Sequence, residues 1–173
     1  MTLQQACSAA GRHSTPPHRN PRLRLKPKAP PTGYVDGAWW PWSYTLTTEI
    51  PELLTVLSVR LGAILRVRYN LSEWAAAPAK VVIDGQAVRL DGYQRQPVNT
   101  LEVLGASRGR IVLLVVPPHT DPDQAHETMM TAAAPRNDSS VDALLMIGDR
   151  ERRIRTERTD AEKQWVFEGG VRR

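Results

Sequence analysis

Apolar residues along this chain fall into two rhythms, one of helices and one of strands. In LTTEIPELLTVLSVRLG, Ile50, Leu53, Leu54, Leu57 and Leu61 recur at helical spacing and form one continuous stripe. Thr47 or Thr48 is placed to cap that helix, Glu49 suits its positive end, Pro51 fits a first turn, and Gly62 supplies a stop. RLRLKP alternates Leu23 and Leu25 against basic residues, a short half-buried strand ended by proline. ILRVRY sets Leu65, Val67 and Tyr69 on one face and Arg66 and Arg68 on the other.

Two hairpins follow. KVVIDGQAVRL turns at Asp84-Gly85, because a type I′ turn needs positive φ at both central residues. That register pairs Lys80 with Arg89, Val81 with Val88, Val82 with Ala87 and Ile83 with Gln86. Like charges directly opposite are unfavourable. With Arg66 and Arg68 they form either a small basic face that accepts anions or a solvated face of long side chains. The second hairpin has its loop at Gly105 to Gly109. Ile111 to Val116 is apolar on both faces, as a strand covered on each side requires. In DPDQAHETMMTAAA, Asp121 is an N-cap, Pro122 takes N1 and Gln124 takes N3, with Ala125, Met129 and Ala132 or Ala133 facing the sheet.

This order implies an α+β domain with a largely antiparallel sheet of about five to six strands and two helices packed on it. Residues 1–21 read as a disordered basic arm and 22–134 as a single α+β domain. Residues 135–173 read as a charged tail, mostly disordered or marginally helical, that stays out of the core.

Charge refines the picture. The 173 residues carry a net charge of +5, but residues 1–30 hold six basic side chains and no acid. Residues 31–134 hold eight basic and ten acidic side chains, so the excess lies in the arm. Cys7 is the only cysteine, which excludes an intramolecular disulfide and a cysteine-built zinc site. With no basic and apolar leader and no stretch of membrane-spanning length, a cytoplasmic protein is expected.

Catalytic patterns are sparse. His119 and His126 have no ligand spacing, no glycine-rich phosphate loop or GxSxG elbow is present, and no cofactor or metal is implied. Asp84 and Asp91 precede glycines as turn formers. Asp36 also precedes a glycine, yet leads into GAWWPWS, which holds three of the five tryptophans. In an extended segment Trp39 and Trp40 point to opposite sides, while Trp42 shares the parity of Trp40. One ring is then structural, and the others form a platform for a ligand or an interface. Trp74 in YNLSEW is placed to close the same cavity, with Asn70 supplying polar edges.

RLRLKPKAPPTGYVDGAWWPWS, with YNLSEW and VLLVVPPHTDP downstream, resembles a family of short actinobacterial proteins, a domain of unknown function. The resemblance spans roughly Arg22 to Ala134, and GYVDGAWWP is its most specific part. It implies no activity, cofactor or catalytic residue. After WWP the family often has a basic residue where this chain has Trp42.

The expected function is a small binding or regulatory module that meets a small ligand or a protein partner through Asp36, Trp39, Trp40, Trp42, Asn70 and Trp74. The alternative is a nucleic-acid-associated protein using the basic arm. An enzyme would have to use Asp36, with Asn70 or Gln96, in a tryptophan-lined pocket.

Overall fold

The leucine stripe forms α1 (Leu46–Leu61), with Ile50, Leu53, Leu54, Leu57 and Leu61 all buried and Gly62 closing it at φ 67°. The computed structural model describes residues 20–28 and 33–146, together with 157, 158, 160 and 161. The helix starts earlier than Thr47 or Thr48 would set it. Thr45 is its N-cap and makes no side-chain cap bond. Glu49 instead ties the preceding turn to the helix, accepting from Trp42 N–H (3.1 Å) and Ser43 Oγ (2.8 Å). Pro51 therefore falls in the second turn, where it lacks the N–H that would reach the carbonyl four residues earlier.

Seven strands form one sheet: β1 (Leu23–Leu25), β2 (Gly37–Trp39), β3 (Ile64–Asn70), β4 (Lys80–Ile83), β5 (Gln86–Tyr93), β6 (Thr100–Gly105) and β7 (Arg110–Val115). Their order is β1-β2-β7-β6-β3-β5-β4. The β2–β7 and β3–β5 pairs are parallel, and the other four are antiparallel. The α+β class holds, but the sheet is mixed and larger than the expected five to six antiparallel strands. Two departures explain this. The tryptophan segment is itself a strand, and the β4–β5 hairpin joins the sheet through its second strand, so β5 lies parallel to β3.

Within the hairpin the expected register is present in full, Lys80 opposite Arg89 through Ile83 opposite Gln86. Asp84 and Gly85 turn it with φ of 49° and 79°. In β3 a bulge between Ile64 and Arg66 corrects the reading of Leu65. Ile64 takes the buried position and Leu65 is left 48% exposed, while Val67 and Tyr69 point inward.

Helices cover both faces of the sheet. On one, α1 packs against Val67, Val88, Leu90, Leu101, Val103 and Leu113. On the other lie α2 (Pro122–Ala132) and α3 (Val141–Leu144), a third helix where two were expected. Asp121 caps α2 by accepting from the Asp123 and Gln124 N–H groups. Ala125, Met129 and Ala132 then meet Ala38, Leu114 and Val116. Leu144, 4% exposed, joins this second core, so packing continues past Ala134. The strand β7 serves both cores by alternation, with Ile111, Leu113 and Val115 on one side and Leu114 with Val116 on the other.

The second face is only partly covered. α2 lies over the β1–β2 end, and the remaining strands present charged side chains there. The arm at residues 1–19 lies outside the described residues.

Tyr69 sits buried beneath α1, and burial together with the charge of Asp91 raises its pKa above the ordinary tyrosine value. A raised folded pKa gives stability that is complete below about pH 10 and is lost as pH rises through the folded value. Urea unfolding from about pH 9 to about pH 11 should therefore show a larger loss for the native protein than for Tyr69→Phe.

Candidate functional site

The three residues of β2 decide where the tryptophans go. Trp39, opposite Val115 on β7 and Leu23 on β1, is 1% exposed in the core beneath α1. There it stacks on Trp74 with ring centroids 5.6 Å apart and planes 14° from parallel. Trp40 leaves on the other side and packs against the α2 core. Pro41 then redirects the chain, and Trp42 lies at the surface, 49% exposed.

Arg22 joins the two outer rings. Its guanidinium carbon lies 3.4 Å from the Trp40 ring centroid and 3.7 Å from that of Trp42. Its Nε donates to the Trp40 carbonyl (2.9 Å) and an Nη donates to the Pro41 carbonyl (2.7 Å). The backbone adds a bond from Trp40 N–H to the Arg22 carbonyl (2.9 Å). Desolvation lowers the Arg22 pKa, and the carboxylate of Glu49 acts against that by favouring the charged form. The unit is a cation clamped between two indoles, tied to the start of α1 through Glu49.

Beside the clamp runs a groove of about 320 Å³ between the start of β1 and α2, lined by Pro21, Arg22, Leu23, Arg24, Trp40, His126 and Met129. Trp40 carries a buried ring N–H with no acceptor among the described residues. Arg24 and His126 are exposed at the rim. A second depression, about 330 Å³, separates α1 from the β4–β5 hairpin and is lined by mixed side chains including Leu54, Thr55, Ile83 and Asp84.

The nominated residues thus divide into separate places. Trp40 and Trp42 share the clamp, and Trp39 and Trp74 share the core beneath α1. Asp36 belongs to neither: its carboxylate accepts Val112 N–H (2.8 Å) and its own N–H donates to the Val112 carbonyl (2.7 Å). Asn70 stitches the chain after β3, accepting from Ser72 N–H (2.9 Å) and Oγ (2.6 Å) while donating to the Gln96 carbonyl (2.6 Å). Both side chains are committed to backbone. Among the described residues no group of three or more His, Cys, Asp or Glu side chains could hold a metal ion. No helix there is long and apolar enough to cross a membrane.

Sequence reasoning missed Arg22, Arg24, Glu49 and His126 as neighbours of the tryptophans. The signal was the alternation of β1, which puts Arg24 opposite Ala38 on the Trp40 side. It becomes readable only once GAW is recognised as a strand.

A family model, described as a family of unknown function, DUF5994, matches residues 22–132. The chain belongs to this family. The DUF5994 segment starts at Arg22 and ends on Ala132, the last residue of α2, so it holds the clamp, every lining residue of the groove but Pro21, and all seven strands. Among curated proteins and among solved structures, none matches the chain.

Replacing Arg22 by alanine removes two hydrogen bonds from a charged donor and its contact with two rings. The expected loss is about 2 kcal/mol in urea unfolding, with Arg22→Lys keeping part of it. Acrylamide quenching checks the assignment of the rings. In a Trp165→Phe background Trp42 should be quenched and Trp39 and Trp74 protected, and Arg22→Ala should open Trp40 to the quencher. For Asp36→Ala, which orphans Val112 N–H, a loss of about 1–3 kcal/mol is expected in the same unfolding measurement.

Proposed function

We propose that this protein is a binding module, and that the side carrying Trp40 and Trp42 receives a small anionic ligand with a flat or apolar body. One observation carries the reading. The groove beside Trp40 joins an aromatic wall and the apolar Leu23 and Met129 to Arg22, Arg24 and His126, with no carboxylate lining it. Its volume falls in the range of small-molecule sites, which starts at roughly 300 Å³. Arg24 makes no ion pair among the described residues, so its five N–H donors are available to a carboxylate or phosphate. An acidic side chain of a protein partner would meet the same chemistry.

The enzyme reading has less behind it. It needed Asp36 in a tryptophan-lined pocket, and that carboxylate is bonded to the backbone of β7.

Benzoate, naphthoate and adenosine monophosphate serve as probes in thermal unfolding and tryptophan fluorescence titrations. At a hundredfold excess over Kd, one of them should raise Tm by about 5–10 °C. Arg24→Ala, folded like the native protein, should abolish that rise. A flat response to every probe, or a rise that persists in Arg24→Ala, rejects the groove as the site.

A further inference from the structure

The charged half of the second sheet face has an order of its own, independent of the tryptophan groove. Following the registers across the sheet, Arg110 on β7 lies opposite Leu104 on β6, and Leu104 lies opposite Arg66 on β3. Arg66 lies opposite Arg89 on β5, and Arg89 lies opposite Lys80 on β4. Four cations therefore stand in one row perpendicular to the strands, with a leucine in the second place. Strands are spaced about 4.8 Å apart, so the row spans about 19 Å.

Like charges on adjacent strands repel, and here two such contacts follow one another. The next row relieves the repulsion only in part. Asp91 lies 3.1 Å from Arg66 and 3.7 Å from Arg89, and Glu102 lies 3.1 Å from both Arg68 and Arg110. With Arg68 and Lys80 included, the face holds five cations against two carboxylates. The carboxylates are well buried, while the side chains of Arg89 and Arg110 are 57% and 65% exposed. Negative charge is beneath and positive charge is outermost. Each arginine has five N–H donors, and the ion pairs occupy a minority of them.

One aromatic completes the face. Tyr93, 45% exposed, follows Arg89 and Asp91 by strand alternation and lies on the same side. Among the described residues the helices on this side pack at the other end of the sheet, α2 against β1, β2 and Leu114 of β7.

We propose that this face binds a single-stranded nucleic acid, its phosphates along the Arg110–Arg66–Arg89–Lys80 row and a base on Tyr93. The charge excess matches a polyanion and the row has the length of several nucleotides. An exposed ring beside a basic surface is how single strands are held without reading sequence. Leu104 gives the row an apolar floor where a ribose or base edge can rest. This places the nucleic-acid contact on the folded sheet, where the basic arm had been the candidate.

Fluorescence anisotropy of the full chain with labelled dT15 and rU15 tests it, the two probes separating DNA from RNA. Binding should weaken steeply with salt. The pair Lys80→Glu and Arg89→Glu, both exposed, should reduce affinity at least tenfold and flatten the log–log salt slope by about 1.4. Tyr93→Ala should weaken binding about fivefold or more at unchanged salt slope. Arg24→Ala and deletion of residues 1–19 should leave the effect of the double reversal intact, and circular dichroism confirms that each variant is folded. The proposal is overturned by absence of salt-sensitive binding to both probes, or by an unchanged affinity in the double variant. Loss of heparin binding in the double variant, with Tyr93→Ala without effect on dT15 and rU15, would also overturn it, since the face would then be a general acidic-partner surface.

Discussion

Three residues, Gly37, Ala38 and Trp39, join the two cores of this protein in one structure. They lie between β1 and β7, all buried, and they alternate. Gly37 permits the close approach, since a Cβ there would collide with the Arg24 carbonyl and the Leu25 backbone. Ala38 is small enough for α2 to settle over it, and Trp39 fills the end of the core beneath α1. Asp36 extends the attachment by pairing backbone and side chain with Val112. Without this strand β7 would present an open edge, and Trp40 and Trp42 would have no fixed wall to meet Arg22. The clamp is thus a consequence of where β2 docks.

Local chemistry was legible in the sequence and long-range pairing was not. Helix α1, the cap of α2, the Asp84-Gly85 turn and the register of its hairpin follow from spacing, from capping side chains and from residues that accept positive φ. Each depends on neighbours within a few positions. The parallel pairs β2–β7 and β3–β5 depend on segments far apart in the chain, and parallel strands carry no turn to announce them. Leu65 was misread for a related reason, because a bulge changes parity without a sequence signal of its own. The seating of Leu144 depends on α2 already being in place, so a thin apolar pattern gave little indication of it.

The site shows the same division. Alternation separated Trp39 from Trp40, which is the physical content of the GAWWPWS motif. Asp36 and Asn70 looked available because their types are common in catalytic sites, yet both satisfy buried or turning backbone. Arg22 carried no mark beyond its charge. Its role is set by Pro41, which brings the second indole round to the first, and by Glu49, whose carboxylate ties that turn to α1. Trp42, where relatives were expected to carry a basic residue, supplies one wall of the pair.

The docking of β2 also sets an order of events during synthesis. Asp36 and Val112 are separated by 76 positions, and the slot beside β7 does not exist until residues near Val115 have been made. Through that interval the tryptophan segment has only the short β1 beside it, and the edge of β2 that meets β7 is unpaired. The parallel pairing is completed only after α1 and the β4–β5 hairpin have been synthesised. The most aromatic stretch of the protein is therefore made well before the strand that completes its cover.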